Sequence, residues 1–394
     1  MSMIGTSVKD SLSLKQCTYF PACQGCSLWD VTYSEQARLK ISQLQNLFLA
    51  ADLTSPVVAF ESCGMQGLRH RVDFTLSNGE IQKMGFYDHD KNLIDIDVCL
   101  QLSPPLQSFF AEFRQIQFPI KKGSVRLRVG PKGLRGCWLD FSNLDIKHLL
   151  EEKTTFARLL EQDIFIEVGQ KGKRVQNING TLKLTDPQTQ AWFETYDANS
   201  RAIPLLGLVS DFTQPSWYSA KKMVEIILGW TESNAKAIEF GPGLGQFTLP
   251  LLAKGCEVAV YESEASATEY LLLNAKNNQL DQRLKIHLGD YQNKSITDVK
   301  SIDFAIVNPP RSGLKKFTSQ LIRTGAKKII YVSCFPESMV QDLVLLINEG
   351  YQVKEVNIVD QFPQTKHYES CVLLQRVDLD SGDITGQVTL KEQR

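Results

Sequence analysis

The chain has 394 residues, 43% of them hydrophobic and 22% charged, and a net charge of −1. This is the balance of an ordinary globular protein of two or more domains, and it excludes disordered and strongly basic chains. No apolar run approaches the 18 residues a membrane helix needs, and Met1–Leu14 lacks the basic and apolar regions of a secretory signal, so a cytoplasmic protein is expected.

Nine cysteines in such a setting point to thiols, metal or catalysis rather than disulfides. Three form the tight cluster Cys17-x5-Cys23-x2-Cys26, and Cys99 ends a later β-run. Three close thiolates and one distant one suit a tetrahedral zinc or an iron–sulfur cluster, and spacing does not choose between them.

Ser34-Glu35-Gln36 opens a capped helix over 34–48, carrying Leu39, Leu44 and Leu47. Leu68 to Cys99 alternates as strands do, with Asn78-Gly79 as a hairpin turn. Residues 124–140 and 165–185 are also β-rich, so the first half reads as mainly antiparallel β with one or two helices. Arg114 to Arg135 holds seven basic residues and no acidic one, the local excess that a phosphate-tracking surface needs.

The grammar changes after about residue 205. Helices at 222–230, 247–253 and 264–278 alternate with strands at 237–240, 257–261, 284–288, 303–307, 328–333 and 352–358. Such alternation predicts a doubly wound, Rossmann-like parallel α/β sheet. The last strand, 371–376, follows its predecessor without a helix and is expected to be antiparallel. The expected organisation is a β-rich domain over 1–205, an α/β domain over 206–377 and a polar tail over 378–394.

Gly241-x-Gly243-x-Gly245 lies between a strand and a helix, where glycine lets a ligand approach the backbone. Glu262 ends the next strand and can accept both hydroxyls of a ribose. Together they indicate an adenosine-containing cofactor. The missing pyrophosphate spacing fits S-adenosylmethionine. Asn308-Pro309-Pro310-Arg311 ends the strand 303–307, and its two prolines stiffen the loop that aims Asn308. An aromatic residue at the Arg311 position would suit an amine methyltransferase. Arg311 speaks against that class.

Cys334 ends the apolar run Lys328–Ser333. Carbon C5 of a uracil ring becomes nucleophilic only after a thiolate adds to C6, and a base must later remove the C5 proton. Near the last strand, Glu369 and His367 are the candidate bases.

These motifs resemble the RNA uracil-C5 methyltransferases, over nearly the whole chain from Cys17 to about Arg376. The resemblance implies a [4Fe–4S] cluster on Cys17, Cys23, Cys26 and Cys99. It implies S-adenosylmethionine held by Gln214, Gly241, Gly243, Gly245, Gln246, Glu262 and Asn308, with Cys334 as nucleophile and Glu369 as base. The cluster cysteines, Asn308 before Pro-Pro, and the absence of room before Cys17 for a small β-barrel RNA-binding domain resemble the ribosomal branch. The implied partner is therefore RNA, 23S ribosomal RNA first and tRNA second, and the expected state is a monomer. Ser216, Gly241, Pro242, Phe335 and Ser338 depart from the family pattern, which leaves an iron–sulfur RNA-binding protein with a degenerate methyltransferase domain as the alternative.

Overall fold

The computed structural model describes residues 16–118, 121–140, 150–151, 153–169, 172–289 and 301–377; the tail beyond 377 lies outside them. The strands in chain order are β1 (Val58–Ser62), β2 (Arg71–Asn78), β3 (Gln82–Tyr87), β4 (Leu93–Asp95), β5 (Lys122–Val129), β6 (Arg135–Asp140), β7 (Ile164–Val168), β8 (Lys173–Ile178), β9 (Thr181–Thr185), β10 (Gln190–Tyr196), β11 (Ala202–Gly207), β12 (Lys236–Phe240), β13 (Glu257–Glu262), β14 (Leu284–Leu288), β15 (Phe304–Val307), β16 (Lys328–Ser333), β17 (Tyr351–Asp360) and β18 (Glu369–Arg376). The helices used below are α1 (Tyr33–Ala50), α2 (Pro104–Phe113), α3 (Lys153–Glu161), α4 (Trp217–Trp230), α5 (Thr248–Ala253), α6 (Ala265–Asn277), α7 (Phe317–Arg323) and α8 (Pro336–Asn348).

The first sheet runs β4-β3-β2-β5-β6-β7-β8-β9. Its pairings are antiparallel except β6 with β7, which are parallel. One face is closed by α2, whose Leu106, Phe109, Phe110 and Phe113 recur at helical spacing and are all buried. Each such side chain contributes roughly 1.5–3 kcal/mol of burial. Proline at the first turn costs α2 nothing, because that N–H has no helical partner anyway.

The second large sheet runs β1-β17-β18-β16-β15-β12-β13-β14. β12 to β16 are parallel to one another, and β18 is antiparallel to both β16 and β17, as the missing helix between β17 and β18 implied. β15 is buried throughout: Phe304 and Ile306 join the core under α4, α5 and α6, while Ala305 and Val307 join the one under α1, α7 and α8. A strand covered on both faces must read as a continuous apolar run, and this one does.

Sequence patterning named no strand at β1, β10 or β11. β1 lies parallel to β17, with Val58 opposite Val356, and extends the sheet at its edge. α1 packs Leu44 and Phe48 against the same core. Residues 33–62 thus stand with the second sheet, although they precede the whole of the first.

The β10–β11 hairpin and the segment after it join the two sheets. The segment is gripped from the first sheet. Wholly buried Arg128 donates to the carbonyls of Leu208 and Asp211 and to Thr213 Oγ1. Glu167 accepts from the N–H groups of Val209 and Ser210. Burial lowers the Arg128 pKa to about 9, and nearby Arg71 and Arg126 add to the effect. The grip ends one residue before Gln214.

This geometry corrects the expected basic surface at 114–135. Arg114 pairs with Asp95, Arg126 with Asp73, and Arg135 with Glu112. With Arg128 buried, four of the seven cations are engaged inside the fold, and Lys121, Lys122 and Lys132 remain exposed.

Candidate active site

The second sheet reverses direction at β12, which pairs with β13 on one side and β15 on the other. Ligands of open α/β sheets bind at the carboxyl ends of strands at such a switch point. The glycine turn follows β12, Glu262 ends β13, Asn308 follows β15 and Cys334 follows β16. Chain order, not chance, brings these groups to one edge.

Gly241, Gly243 and Gly245 have φ of 71°, 55° and 100°. At Gly245 a Cβ would stand 2.3 Å from Leu249 Cδ1, so only glycine fits the turn against α5. At Gly243 a Cβ would meet nothing within 4 Å: the space beside it is open. The turn is braced from outside by Asn274 of α6, which donates to the Leu244 carbonyl and exchanges bonds with Leu206 of β11. Gln246 is fixed through its carbonyl, which accepts from Thr195, while its Nε2 is buried with no partner. A buried donor without an acceptor is costly and suits a site that a ligand completes.

Glu262 is buried, and its Oε1 accepts from the N–H groups of Ser263 and Glu264. One strand away, Glu239 accepts from Thr248. Burial, with the Glu262 charge adding to it, raises the Glu239 pKa to about 7. Asn308 lies at the mouth of a small cavity with Phe240, Pro309, Pro310 and Phe317. The loop after it is tied down by Asp342 of α8, which accepts from Leu314 N and Tyr331 Oη.

Cys334 is half-buried between the end of β16 and the start of α8. Burial and the Glu369 charge raise its thiol pKa; Arg311 opposes them with a hydrogen bond and its positive charge. Glu369 begins β18 and is buried, and that burial raises its pKa to about 8 against the pull of Gln361 and Arg311. His367, the rival base, has its pKa lowered by burial and by the cations around it.

Gln361, read in the sequence only as part of a motif, joins the site. Its Nε2 donates to Gln214 Oε1 at 2.8 Å and to Glu369 Oε1 at 3.0 Å. Its Oε1 accepts from Ser219 Oγ at 2.6 Å. Two residues before Gln214, Phe212 is exposed with the Arg71 guanidinium over its ring, 5.3 Å from the centroid.

The departures from the family pattern have local explanations. Ser216 is the N-cap of α4 and accepts from Ser219 N, a task a hydroxyl does as well as an amide. Phe335 acts through its backbone: its N–H donates to Ser333 Oγ, and its carbonyl accepts from Ser333 and Ser338. Gly241 has a left-handed φ that suits glycine.

Cys17, Cys23, Cys26 and Cys99 line one cavity of about 90 Å³, together with Tyr19, Phe20, Trp29, Phe86 and Arg69. Burial, with neighbouring Cys99 and Cys23 adding to it, pushes the Cys26 thiol up to about 12. Among the described residues, however, no three His, Cys, Asp or Glu side chains stand close enough together to hold a metal ion. Nor is any helix among them long and apolar enough to cross a membrane.

The chain is similar to several known proteins. A family model described as tRNA (Uracil-5-)-methyltransferase matches residues 193–377. An uncharacterized RNA methyltransferase of Bdellovibrio bacteriovorus is 41% identical over 380 residues, covering 93% of this chain and 97% of that protein. A 23S rRNA (uracil(1939)-C(5))-methyltransferase of Chromohalobacter salexigens is 27% identical, over 91% of this chain and 76% of that one. Among solved structures, Pyrococcus abyssi tRNA (uracil-54, C5)-methyltransferase in complex with S-adenosyl-L-homocysteine superposes with a TM-score of 0.64. At 21% identity, over 90% of this chain and 86% of that one, the likeness is one of fold.

Proposed function

The chain belongs to the S-adenosylmethionine-dependent RNA uracil-C5 methyltransferases, and from that membership we propose that it forms 5-methyluridine in 23S ribosomal RNA, as a cytoplasmic monomer. The observation that carries the chemistry is the meeting of Cys334, Arg311 and Glu369 at the strand ends beside the glycine turn. An amine or hydroxyl acceptor would need no thiol there.

Arg311 favours the Cys334 thiolate, which adds to C6 of the uracil and leaves C5 electron-rich. Bound S-adenosylmethionine supplies the methyl group. Glu369 then takes the C5 proton; the electron pair re-forms the C5–C6 double bond and expels the thiolate. Gln214, Gln246, Glu262 and Asn308 hold the cofactor, and the open space at Gly243 with the unpartnered Gln246 Nε2 supports that fit. The target uridine leaves its stack to reach Cys334, and exposed Phe212 offers a ring to the bases around it.

Cys17, Cys23, Cys26 and Cys99 hold a [4Fe–4S] cluster in this reading, with residues 1–205 as the RNA-binding and cluster part except for residues 33–62, which complete the methyltransferase sheet, 206–377 as the methyltransferase part and 378–394 as a tail. The shared thiol-lined cavity supports the cluster. Crowded, buried thiols are costly as thiolates until a cationic centre neutralises them. Uracil methylation consumes no electrons, so the cluster's role is structural.

The test is mass spectrometry of nucleosides after incubating unmodified 23S ribosomal RNA and tRNA with the anaerobically purified protein and S-adenosylmethionine. New 5-methyluridine in ribosomal RNA, absent with Cys334→Ala, is expected. Formation in tRNA alone overturns the substrate, and undiminished formation by Cys334→Ala overturns the nucleophile.

A further inference from the structure

Gln361 carries no charge and gives or takes no proton in the proposed reaction, yet its one amide reaches three elements. The loop after β17 holds it, α4 supplies Ser219, the segment before α4 supplies Gln214, and β18 supplies Glu369. All four side chains are buried. We propose that Gln361 is a positioning residue that sets both the orientation of the Gln214 amide and the ionisation of Glu369. This rests on the reading of Gln214 as a cofactor residue and Glu369 as the base.

An amide nitrogen has two hydrogens, and here each has an acceptor: Gln214 Oε1 at 2.8 Å and Glu369 Oε1 at 3.0 Å. Turning the Gln361 amide over would set its oxygen against both of those oxygens. The Ser219 hydroxyl, donating to Gln361 Oε1 at 2.6 Å, holds the amide the right way round. Gln214 must then present its oxygen to Gln361, and its own NH₂ is left for an acceptor. The carboxylate of an amino-acid moiety is such an acceptor.

The same amide favours the charged form of Glu369, because a bond to an ionised carboxylate is stronger than one to a neutral acid. Once Glu369 ionises, the bond tightens and fixes the Gln361 rotamer that orients Gln214. The two sites are linked, and linkage runs equally in both directions.

Gln361→Met keeps the length of the side chain and removes both N–H groups. Calorimetric binding of S-adenosylmethionine to this variant is expected to weaken about tenfold, the scale of one lost hydrogen bond of about 1 kcal/mol or slightly more. The acid limb of the pH profile for 5-methyluridine formation should move up by about one pH unit, with the rate approaching wild type at high pH. A folded variant unchanged in both readouts overturns the proposal. Weaker binding with an unmoved limb rejects Glu369 as the titrating base, and with it the coupling. The binding readout needs no RNA, so it decides the Gln214 half even where the substrate assignment fails. Ser219→Ala, a small change near a helix start, provides the second variant. Its cofactor affinity should fall roughly two- to threefold, a fraction of one hydrogen bond, and unaltered affinity there also overturns the proposal.

Discussion

At the scale of single residues, the site sets two acids against each other. The Cys334 thiol is harder to ionise while Glu369 is charged, and Glu369 stays largely protonated until about pH 8. In the proposed reaction the neutral acid therefore assists the attack, and the carboxylate is needed only for proton removal. Release of product should rise with pH to a plateau above about 8, measured by single-turnover kinetics. Glu369→Gln should still attack RNA and accumulate a covalent protein–RNA species, seen as a denaturant-stable band. Stability follows the opposite course. The folded pKa of about 8 exceeds the ordinary carboxylate value of about 4.3, so the folded state keeps a proton that the unfolded chain releases between them. That contribution is fully present below about 4.3 and is lost as pH rises through about 8. Urea unfolding should show the wild type losing stability between pH 5 and 8 relative to Glu369→Gln. Cys334 and Glu369, the proposed nucleophile and base, could be named from the sequence because each role needs a fixed residue type at a strand end. Gln361 was not, because an amide has no chemistry of its own and its partners come from two other segments of the chain.

At the scale of elements, the glycine turn separates two roles that one motif conceals. Gly245→Ala forces a Cβ into Leu249 and should destabilise the fold by more than 2 kcal/mol, about the cost of overpacking combined with a left-handed alanine. Gly243→Ala meets open space, so it should fold at a cost of about 1 kcal/mol and yet bind S-adenosylmethionine at least about tenfold more weakly, because the methyl enters the cradle. Thermal melts and calorimetry distinguish the two. The strands of the second sheet from β12 onward were legible from their apolar runs. β1 was not: it is a short edge strand, only partly buried, whose partner β17 lies far along the chain. The basic stretch misled for a related reason. Asp73, Asp95 and Glu112, which neutralise Arg126, Arg114 and Arg135, lie outside it or at its margin, and strand pairing and helix packing bring them in.

At the scale of the molecule, the first helix underpins the loop that leads to Glu369, the proposed base. Buried Lys40 of α1 pairs with buried Asp360 at 2.7 Å and also donates to the Phe362 carbonyl. Tyr33 donates to the other Asp360 oxygen. Gln36 and Gln364 exchange amide bonds, and the Ser27 and Leu28 N–H groups donate to the Gln364 carbonyl. The segment just after Cys26 thus sits on the loop that leads to Glu369, while Arg69, lining the cysteine cavity, lies over the Phe362 ring. Lys40→Met leaves Asp360 buried and alone and should cost about 3–5 kcal/mol in urea unfolding, with Lys40→Met/Asp360→Asn recovering much of the loss. Removing the proposed cluster should speed amide exchange at Ser27, Leu28 and Gln364 by at least about tenfold, measured by mass spectrometry, while the β12–β13 core stays protected.

The link between Gln36 and Gln364 spans 328 residues, and it bears on how the chain is made. At roughly 5–20 residues per second, a ribosome needs from about a quarter of a minute to about a minute to deliver the second glutamine after the first. For most of that interval α1 and β1 are outside the exit tunnel with Leu44, Phe48 and the β1 edge uncovered, while the intervening β-rich sheet gains all its strands and can close. Completion of the second sheet is therefore the last event of biogenesis, and the early segment is the part of the nascent chain most in need of a chaperone's cover.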